Sequence, residues 1–575
     1  MDKFLNWWKE DKRYLSALKI LLMALLPLVS CLIYCAMQGR SIAQVYLPGS
    51  EWNDELFYFK QVEAIVNYGY PQGYYGFNES HALKLSFAAW SPVLVFPWVL
   101  WGLVFGWNLL SPVICNIVLM TLAMVVFAWL VKPTWKQLGI LTLLFFLYTP
   151  FVRYMLSGMP EVICFSLLII FYSVAISYLR ENTWGKLVWL FVLSGLMTLM
   201  RPYMLLFLLL PVAFWVAKSK WKGLAGSVAV LGVVLGVYAL IKHYFGAEYF
   251  APLFFTDWVT AFFEQGLFGG IRYFCSKLYW NGLAFLQHMQ GGVQTGLASG
   301  AFFWGYLAVL AVLLYQSAAD FGRLRKAGVI KRLAPRRSVQ RKNSRSEDSG
   351  AGDKQQEAVL YKASDKASAG TIDKGHGSIL NMFVVEAHLA FSFIGMLFAL
   401  LLMYKLTEGS KHLLTFMAAG VFVISLMKTK FYKKAVFIGA VFAFFYIRMA
   451  VDPYDYQVPF ADSERVAQVE AWQQTFAEEL VMTDANVPNY DNAIIWTFSD
   501  MVDGKSVNSK WQVLYSLPEG FGISCCMRDY IIENFNNLQN KYISTVSGGE
   551  IDLMCLEAGY RELGRDGDIV VYQRH

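Results

Sequence analysis

Charge is what this sequence has least of. Asp, Glu, Lys and Arg make up 16% of its 575 residues against 57% hydrophobic ones, too little to cover a water-soluble surface of that size. No phosphate-binding glycine loop or nucleotide-fold fingerprint occurs, which argues against a nucleotide-sugar donor. No internal repeat occurs either, and repeats are usual in secondary transporters. Metal-ligand spacing of Cys and His is missing too. Four of the eight cysteines, Cys31, Cys35, Cys115 and Cys164, sit inside apolar segments as small core residues. Cys525, Cys526 and Cys555 share the C-terminal region, where an extracytoplasmic location would permit one disulfide. The first apolar segment is too long for a signal peptide and lacks a small-residue cleavage site, so none is expected.

Apolar runs are what the sequence has instead. Segments long enough for a ~30 Å hydrocarbon core recur at 17-37, 109-131, 138-157, 160-179, 187-201, 203-217, 225-242, 299-316, 380-403, 413-427 and 435-450. A further run, FAAWSPVLVFPWVLWGLVFG at 87-106, contains Pro92 and Pro97 and reads as a broken helix that enters and returns. The net charge of +7 does not point to nucleic acid, because the basic residues fall in short loops between apolar runs. Lys132, Lys136, Arg180, Lys186, Lys218, Lys220 and Lys222 mark one side as cytoplasmic. Ten more between Arg323 and Arg345 give 317-378 the character of a disordered cytoplasmic loop. The fold class expected is a polytopic α-helical membrane protein with about 11 to 12 transmembrane helices. Its N-terminus is cytoplasmic, and residues 1-450 form the membrane domain.

Three larger pieces then face outward: 38-86, the aromatic-rich 243-298, and 451-575. The last reads as a small extracytoplasmic α/β domain. A helix is expected at 462-481 and strands at AIIWTF (493-498), WQVLYS (511-516), KYISTV (541-546) and IVVYQ (569-573), with further helices near 527-536 and 550-558.

The strongest local signal is WNDELFYF at 52-59, where Asp54 and Glu55 stand between aromatics after the first membrane helix. A carboxylate in reach of a hydroxyl acts as a general base, and adjacent helical residues point about 100° apart, so only one of the two can aim at a given atom. The competing reading is a helix cap by Asn53 or Asp54. Arg153 and Glu161 lie in RYMLSGMPE, Arg201 stands before Pro202, and Glu408, Lys411 and His412 lie in KLTEGSKHLL. By the basic-loop assignment all of these are on the outer side. Each alone reads as a helix end or a snorkelling side chain; together they suit a phosphate-bearing ligand and a developing negative charge.

A long first outer loop opening on Asp54-Glu55, an acid at a second outer turn and a basic residue at a later outer helix start resemble the GT-C superfamily of polyprenyl-phosphate-sugar-dependent glycosyltransferases. That group includes the protein O-mannosyltransferases and the lipid A aminoarabinose transferases. The resemblance covers about residues 1-450. It implies an inverting transferase with Asp54 as base and Glu55 as its neighbour. Glu161 takes the second acidic position, and Lys411 stands where many members carry Arg near the lipid phosphate. Partners would be a polyprenyl-phosphate sugar, an envelope glycan, lipid or protein acceptor and membrane lipid, with no nucleic acid; whether a divalent metal takes part stays open. AAWSPVL stands in place of a His-Pro-Pro, keeping only Pro92. No WWDYG-like run occurs, which disfavours transfer to asparagine. A transporter or flippase, or a polymerase or ligase of lipid-linked glycans, is the alternative.

Overall fold

A computed structural model describes residues 12–50, 52–69, 75–77, 91–148, 150–246, 255–295, 298–327, 374–403, 410–426, 457–480, 493–497, 515–517, 522–538 and 540–574. Its first part is helical. Helix α1 (Lys12–Met37) leads through two short 3-10 turns to α2 (Asn53–Tyr68) and strand β1 (Tyr75–Phe77). Then come α3 (Phe96–Phe105), α4 (Ser111–Val131), α5 (Trp135–Leu147), α6 (Pro150–Met155), α7 (Glu161–Arg180), α8 (Trp184–Met200) and α9 (Leu205–Phe245). Helices α10 (Asp257–Glu264), α11 (Gly266–Thr295), α12 (Ala298–Lys326), α13 (Lys374–Leu402) and α14 (Ser410–Leu426) follow. Among the described residues, six helices are long and apolar enough to cross a membrane, and four shorter apolar helices accompany them. The chain is a multi-pass membrane protein, and its exposed leucines and valines on α1, α3 and α9 are the lipid-facing surface such a protein needs.

Three expected segments look different in the structure. The run 138-157 is not one helix: α5 stops before Tyr148 and α6 begins at Pro150, because proline lacks the N–H and clashes with the preceding turn. The 87-106 run becomes a 3-10 turn over Pro92–Val95 and the ten-residue α3. At 1.5 Å per residue α3 spans about 15 Å, half a hydrocarbon core. Helix α9 breaks at Lys220 (φ 47°, ψ −121°), and its two limbs match the expected runs 203-217 and 225-242. There the chain doubles back: a Cβ on Gly223 would meet the Trp215 carbonyl oxygen at 2.3 Å. Helix α12 continues through Lys326, so the loop expected from 317 starts as helix. Residues 328–373 and the run 435-450 lie outside the described residues.

The remainder of the chain supplies α15 (Ser463–Leu480), β2 (Ala493–Thr497), β3 (Gly522–Cys526), α16 (Arg528–Asn534), β4 (Tyr542–Val546), α17 (Glu550–Glu557), β5 (Arg561–Asp566) and β6 (Ile569–Gln573). The strands form one sheet in the order β1-β3-β2-β4-β6-β5, parallel from β1 to β4 and antiparallel beyond. Strand β4 is buried along its whole length. The sheet is not confined to 451-575, since its edge strand β1 comes from the first loop and pairs with Ile523, Ser524 and Cys525. Of the strand expected at WQVLYS, Tyr515 and Ser516 are helical instead, and 511–514 lie outside the described residues. Strands β3 and β5 were not expected, because GISCC and RELGRD lack β-branched alternation. Cys525, Cys526 and Cys555 are buried free thiols.

The first loop and the C-terminal region are stitched together along α2. Val45 bridges Phe460, the Tyr46 N–H donates to the Pro459 carbonyl (2.9 Å) and the Ala461 N–H to the Gln44 carbonyl (2.7 Å). Midway along α2, Lys60 Nζ lies 2.9 Å from Glu63, donates to the Leu517 carbonyl at 3.4 Å and sits over the Tyr515 ring. The helix bearing Asp54 and Glu55 is therefore held between the bundle and the sheet.

Candidate active site

Helix α2 starts at Asn53 with Trp52 in the cap position, making no side-chain cap bond, and ends at Gly69 in the left-handed conformation (φ 78°). Asp54 and Glu55 occupy its first turn, where the positive end of the helix dipole favours carboxylates. The cap reading is thereby corrected: the capping position belongs to Trp52. The two acids then part company. Asp54 is partly exposed, whereas Glu55 is completely buried.

Glu55 Oε1 pairs with Arg153 Nη2 at 2.8 Å, and the Gly158 N–H points at its Oε2 from 3.4 Å. Burial pushes the Glu55 carboxyl above the ordinary glutamate range, and the Arg153 guanidinium, the Gly158 N–H and the Ser50 side chain pull against that. The guanidinium lies 3.7 Å from the Trp52 ring centroid, and Trp52 packs on Tyr154 at 4.9 Å. Close approach of α2 to the 156–160 turn requires a glycine at 158. A Cβ there would stand 3.0 Å from the Glu55 carbonyl oxygen and 3.2 Å from Leu47 Cδ1.

That turn is held from below. Asn116 of α4 donates through Nδ2 to the carbonyls of Tyr154 (3.3 Å) and Ser157 (3.2 Å), and its Oδ1 accepts from Trp98 Nε1 at 2.9 Å. Trp98 belongs to α3, so the short helix in the 87-106 run buttresses the turn that carries Arg153 and Glu161.

A second buried pair lies alongside. Pro202 forces the residue before it out of the helical region, so α8 ends at Arg201 with φ −145° and ψ 114°. Arg201 Nη2 meets Glu161 Oε1, the first residue of α7, at 2.5 Å; Arg201 is 0% and Glu161 1% exposed. Arg201 Nη1 donates to the Tyr203 hydroxyl (3.0 Å) and to His412 Nδ1 (3.0 Å). A guanidinium cannot accept, so Nδ1 accepts and the imidazole proton sits on Nε2. Tyr58, one turn beyond Glu55 on α2, is within electrostatic reach of Arg201, so α2 runs past both pairs.

The structure thus brings Glu55, Arg153, Glu161, Arg201 and His412 into one buried network at one end of the bundle, with Asp54 at its edge. Lys411 is in α14, but its side chain lies outside the described residues, as does all of Glu408. Reading the sequence missed Tyr58, Tyr203, Asn116, Trp52 and Gly158. Asn116 carried a signal, being a lone amide in an apolar run. The two tyrosines stood out in no way among 32.

Several buried polar atoms of this network have no hydrogen-bond partner among the described residues: Arg153 Nε and Nη1 and Glu161 Oε2. Native interiors seldom leave such atoms unmet. For a divalent cation the fit is poor: both buried carboxylates here, Glu55 and Glu161, already face a guanidinium, and no group of three or more His, Cys, Asp or Glu converges among the described residues.

No family model matches the chain, and no curated protein matches it in sequence. Solved structures do resemble it. A crystal structure of ArnT from Cupriavidus metallidurans bound to undecaprenyl phosphate is 12% identical, covers 96% of this chain and 97% of that one, and gives a TM-score of 0.39. The same protein in the apo state is 11% identical over 96% of this chain and 97% of that one, with a TM-score of 0.37. The apo Archaeoglobus fulgidus oligosaccharyltransferase is 12% identical over 95% of this chain and 70% of that one, with a TM-score of 0.42.

Proposed function

We propose that this chain is a membrane glycosyltransferase that moves one sugar from a polyprenyl-phosphate donor to a hydroxyl of a cell-envelope acceptor. In this reading the reaction runs on the extracytoplasmic side with inversion, and Asp54 is the general base. The observation that carries the reading is the underfilled network beside Asp54: buried donors on Arg153 and a buried oxygen on Glu161 with no partner among the described residues. The GT-C resemblance of residues 1-450 supplies the reaction class.

In the proposed step the acceptor O–H loses its proton to the Asp54 carboxylate while its oxygen attacks the anomeric carbon from the face opposite the phosphate. The bond between that carbon and the phosphate oxygen breaks, and polyprenyl phosphate leaves with the bonding pair and one added negative charge. Arginine suits that charge because its planar fork donates from several N–H groups. Arg153 is the stronger candidate for meeting it: beyond its pair with Glu55, its Nη1 has no hydrogen-bond partner among the described residues, whereas both Nη atoms of Arg201 are engaged, by Glu161, Tyr203 and His412. Arg201 and His412 then act as positioning residues beside Arg153. Glu55, buried against Arg153, holds that arginine and α2 in register, which leaves base chemistry to the partly exposed Asp54.

Sidedness is supported by the other end of the bundle. Lys132, Lys136, Arg180 and Lys186 fall at the ends of α4, α5, α7 and α8 opposite the network, and Lys218, Lys220 and Lys222 at the break of α9; such basic turns stay cytoplasmic.

The test is transfer of label from extracted polyprenyl-phosphate sugars by the purified full-length protein. Asp54→Asn is expected to lower turnover by about 10²–10⁴-fold, the usual worth of a general base. Undiminished transfer by a normally folded Asp54→Asn protein would overturn the assignment.

A further inference from the structure

At the basic end, α8 and the two limbs of α9 enclose a cleft of about 510 Å³ lined by Trp184, Phe191, Gly195, Trp215, Val230 and Val234 among others. The volume is within the ~300–1,000 Å³ of ordinary small-molecule sites. Three features of the sequence make the cleft. The reversal at Lys220 turns the second limb of α9 back along α8. Gly223 and Gly226 admit Trp215 so closely that a Cβ on Gly226 would lie 2.1 Å from its ring. Gly195 lets the second limb of α9 come close to α8, with Val234 Cγ2 3.3 Å from the site of a Cβ. Trp215 meets Phe191 edge-on at 5.5 Å and Trp184 at 6.2 Å, giving the cleft an aromatic floor.

Its mouth carries charge of one sign. Lys218 Nζ lies 4.5 Å from the centroid of Trp184, itself a wall of the cleft, and donates to Asn182 Oδ1 at 3.0 Å. Lys220 and Lys222 follow on the same turn, exposed, with Trp221 between them 81% exposed. None of these three lysines forms an ion pair among the described residues. The acid near the mouth, Glu181, is already tied to Lys186 at 2.7 Å. An apolar slot opening onto uncompensated lysines and interfacial tryptophans is complementary to a molecule with an anionic head and apolar chains.

We propose that this cleft binds one anionic phospholipid of the leaflet on the basic side, its acyl chain in the slot and its phosphate on Lys218, Lys220 and Lys222. A polyprenyl phosphate engaged at the carboxylate–arginine network would carry its phosphate at the opposite end of the bundle, so the two lipid sites are separate.

Native mass spectrometry of the full-length protein, released from nonionic detergent with phosphatidylglycerol or phosphatidylcholine added, tests this. The unmodified protein is expected to retain one phosphatidylglycerol with about tenfold preference over phosphatidylcholine. The triple variant Lys218→Gln, Lys220→Gln, Lys222→Gln is expected to lose that preference. Gly195→Leu, and the exposed-wall variant Val188→Trp should the first not fold, are expected to reduce retention of both lipids. Lys19→Gln, at the same end but engaged with the Pro133 carbonyl and the Trp135 ring, should leave the preference intact. Equal loss in that control, full retention in the variant that fills the slot, or displacement by undecaprenyl phosphate at lower concentration than phosphatidylglycerol would each overturn the proposal.

Discussion

Both ends of the helical bundle hold paired charges, and the two ends treat them in opposite ways. At one end Glu55–Arg153 and Glu161–Arg201 have side chains at most 4% exposed. At the other, Lys186 and Glu181 pair with 21% and 73% exposure, and Arg323 and Asp320 with 44% and 6%. The exposed end performs routine work: Arg180 Nη1 donates to the last turn of α4 at the Val131 carbonyl (2.6 Å), and Lys19 reaches the Pro133 carbonyl (2.9 Å). Surface pairs of that kind contribute about 0–1 kcal/mol. Burying an ion costs several kcal/mol, and a buried pair is often no better for stability than apolar residues of the same volume. The buried end therefore calls for an explanation other than stability, and the proposed chemistry provides one.

Removing one partner of a buried pair should have the largest effect. Glu161→Gln leaves the Arg201 charge uncompensated and is expected to cost about 3–5 kcal/mol, read as a lowered unfolding midpoint in detergent. The double variant Glu161→Leu, Arg201→Met sharpens the contrast, because it should recover most of that stability while sugar transfer stays lost. A double variant that is stable and active would reduce the pair to scaffolding.

Next comes the support under the turn. Asn116→Leu removes the partner of Trp98 Nε1 and the Asn116 bonds to the Tyr154 and Ser157 carbonyls, the former of which keeps Ser157 Oγ, at about 1–3 kcal/mol for buried groups left unmet. Transfer activity should fall with it, since Arg153 and Glu161 flank that turn. A similar cost, about 1–3 kcal/mol from overpacking, is expected for Gly158→Ala, whose new methyl presses on Glu55 and Leu47. Gly232→Ala in the far limb of α9 meets nothing within 4 Å and should be neutral or slightly stabilising in the same thermal assay. At the exposed end, Glu181→Gln should leave the midpoint and the turnover unchanged, and added salt should not distinguish it from the parent.

Much of this contrast was already visible along the chain. Apolar runs of membrane length and lysines gathered in alternate loops identify a multi-pass protein, and Asp54-Glu55, Glu161 and Arg201-Pro202 stand out as charges where charge is scarce. Which acid pairs with which arginine was not visible. Glu55 and Asp54 are neighbours in sequence, yet only Glu55 turns toward Arg153, because consecutive helical residues diverge and Gly158 lets that one face approach. Nor could the sequence reveal that α2 is held by the C-terminal region: Lys60 and Leu517 are 457 residues apart, and β1, only YGF, has no strand pattern of its own.

The sequence by itself determined what is local or statistical. It set the apolar lengths, the helix endings at Pro150, Pro202 and Gly69, and the segregation of basic residues to one end, all of which follow from backbone sterics and the cost of charge in lipid. Tertiary structure alone decided which of Asp54 and Glu55 is buried against Arg153, the gathering of two buried ion pairs at one end of the bundle, and the sheet that takes its edge strand from the first loop. Those depend on which surfaces meet, and contacts between distant segments leave no periodic trace in the order of residues.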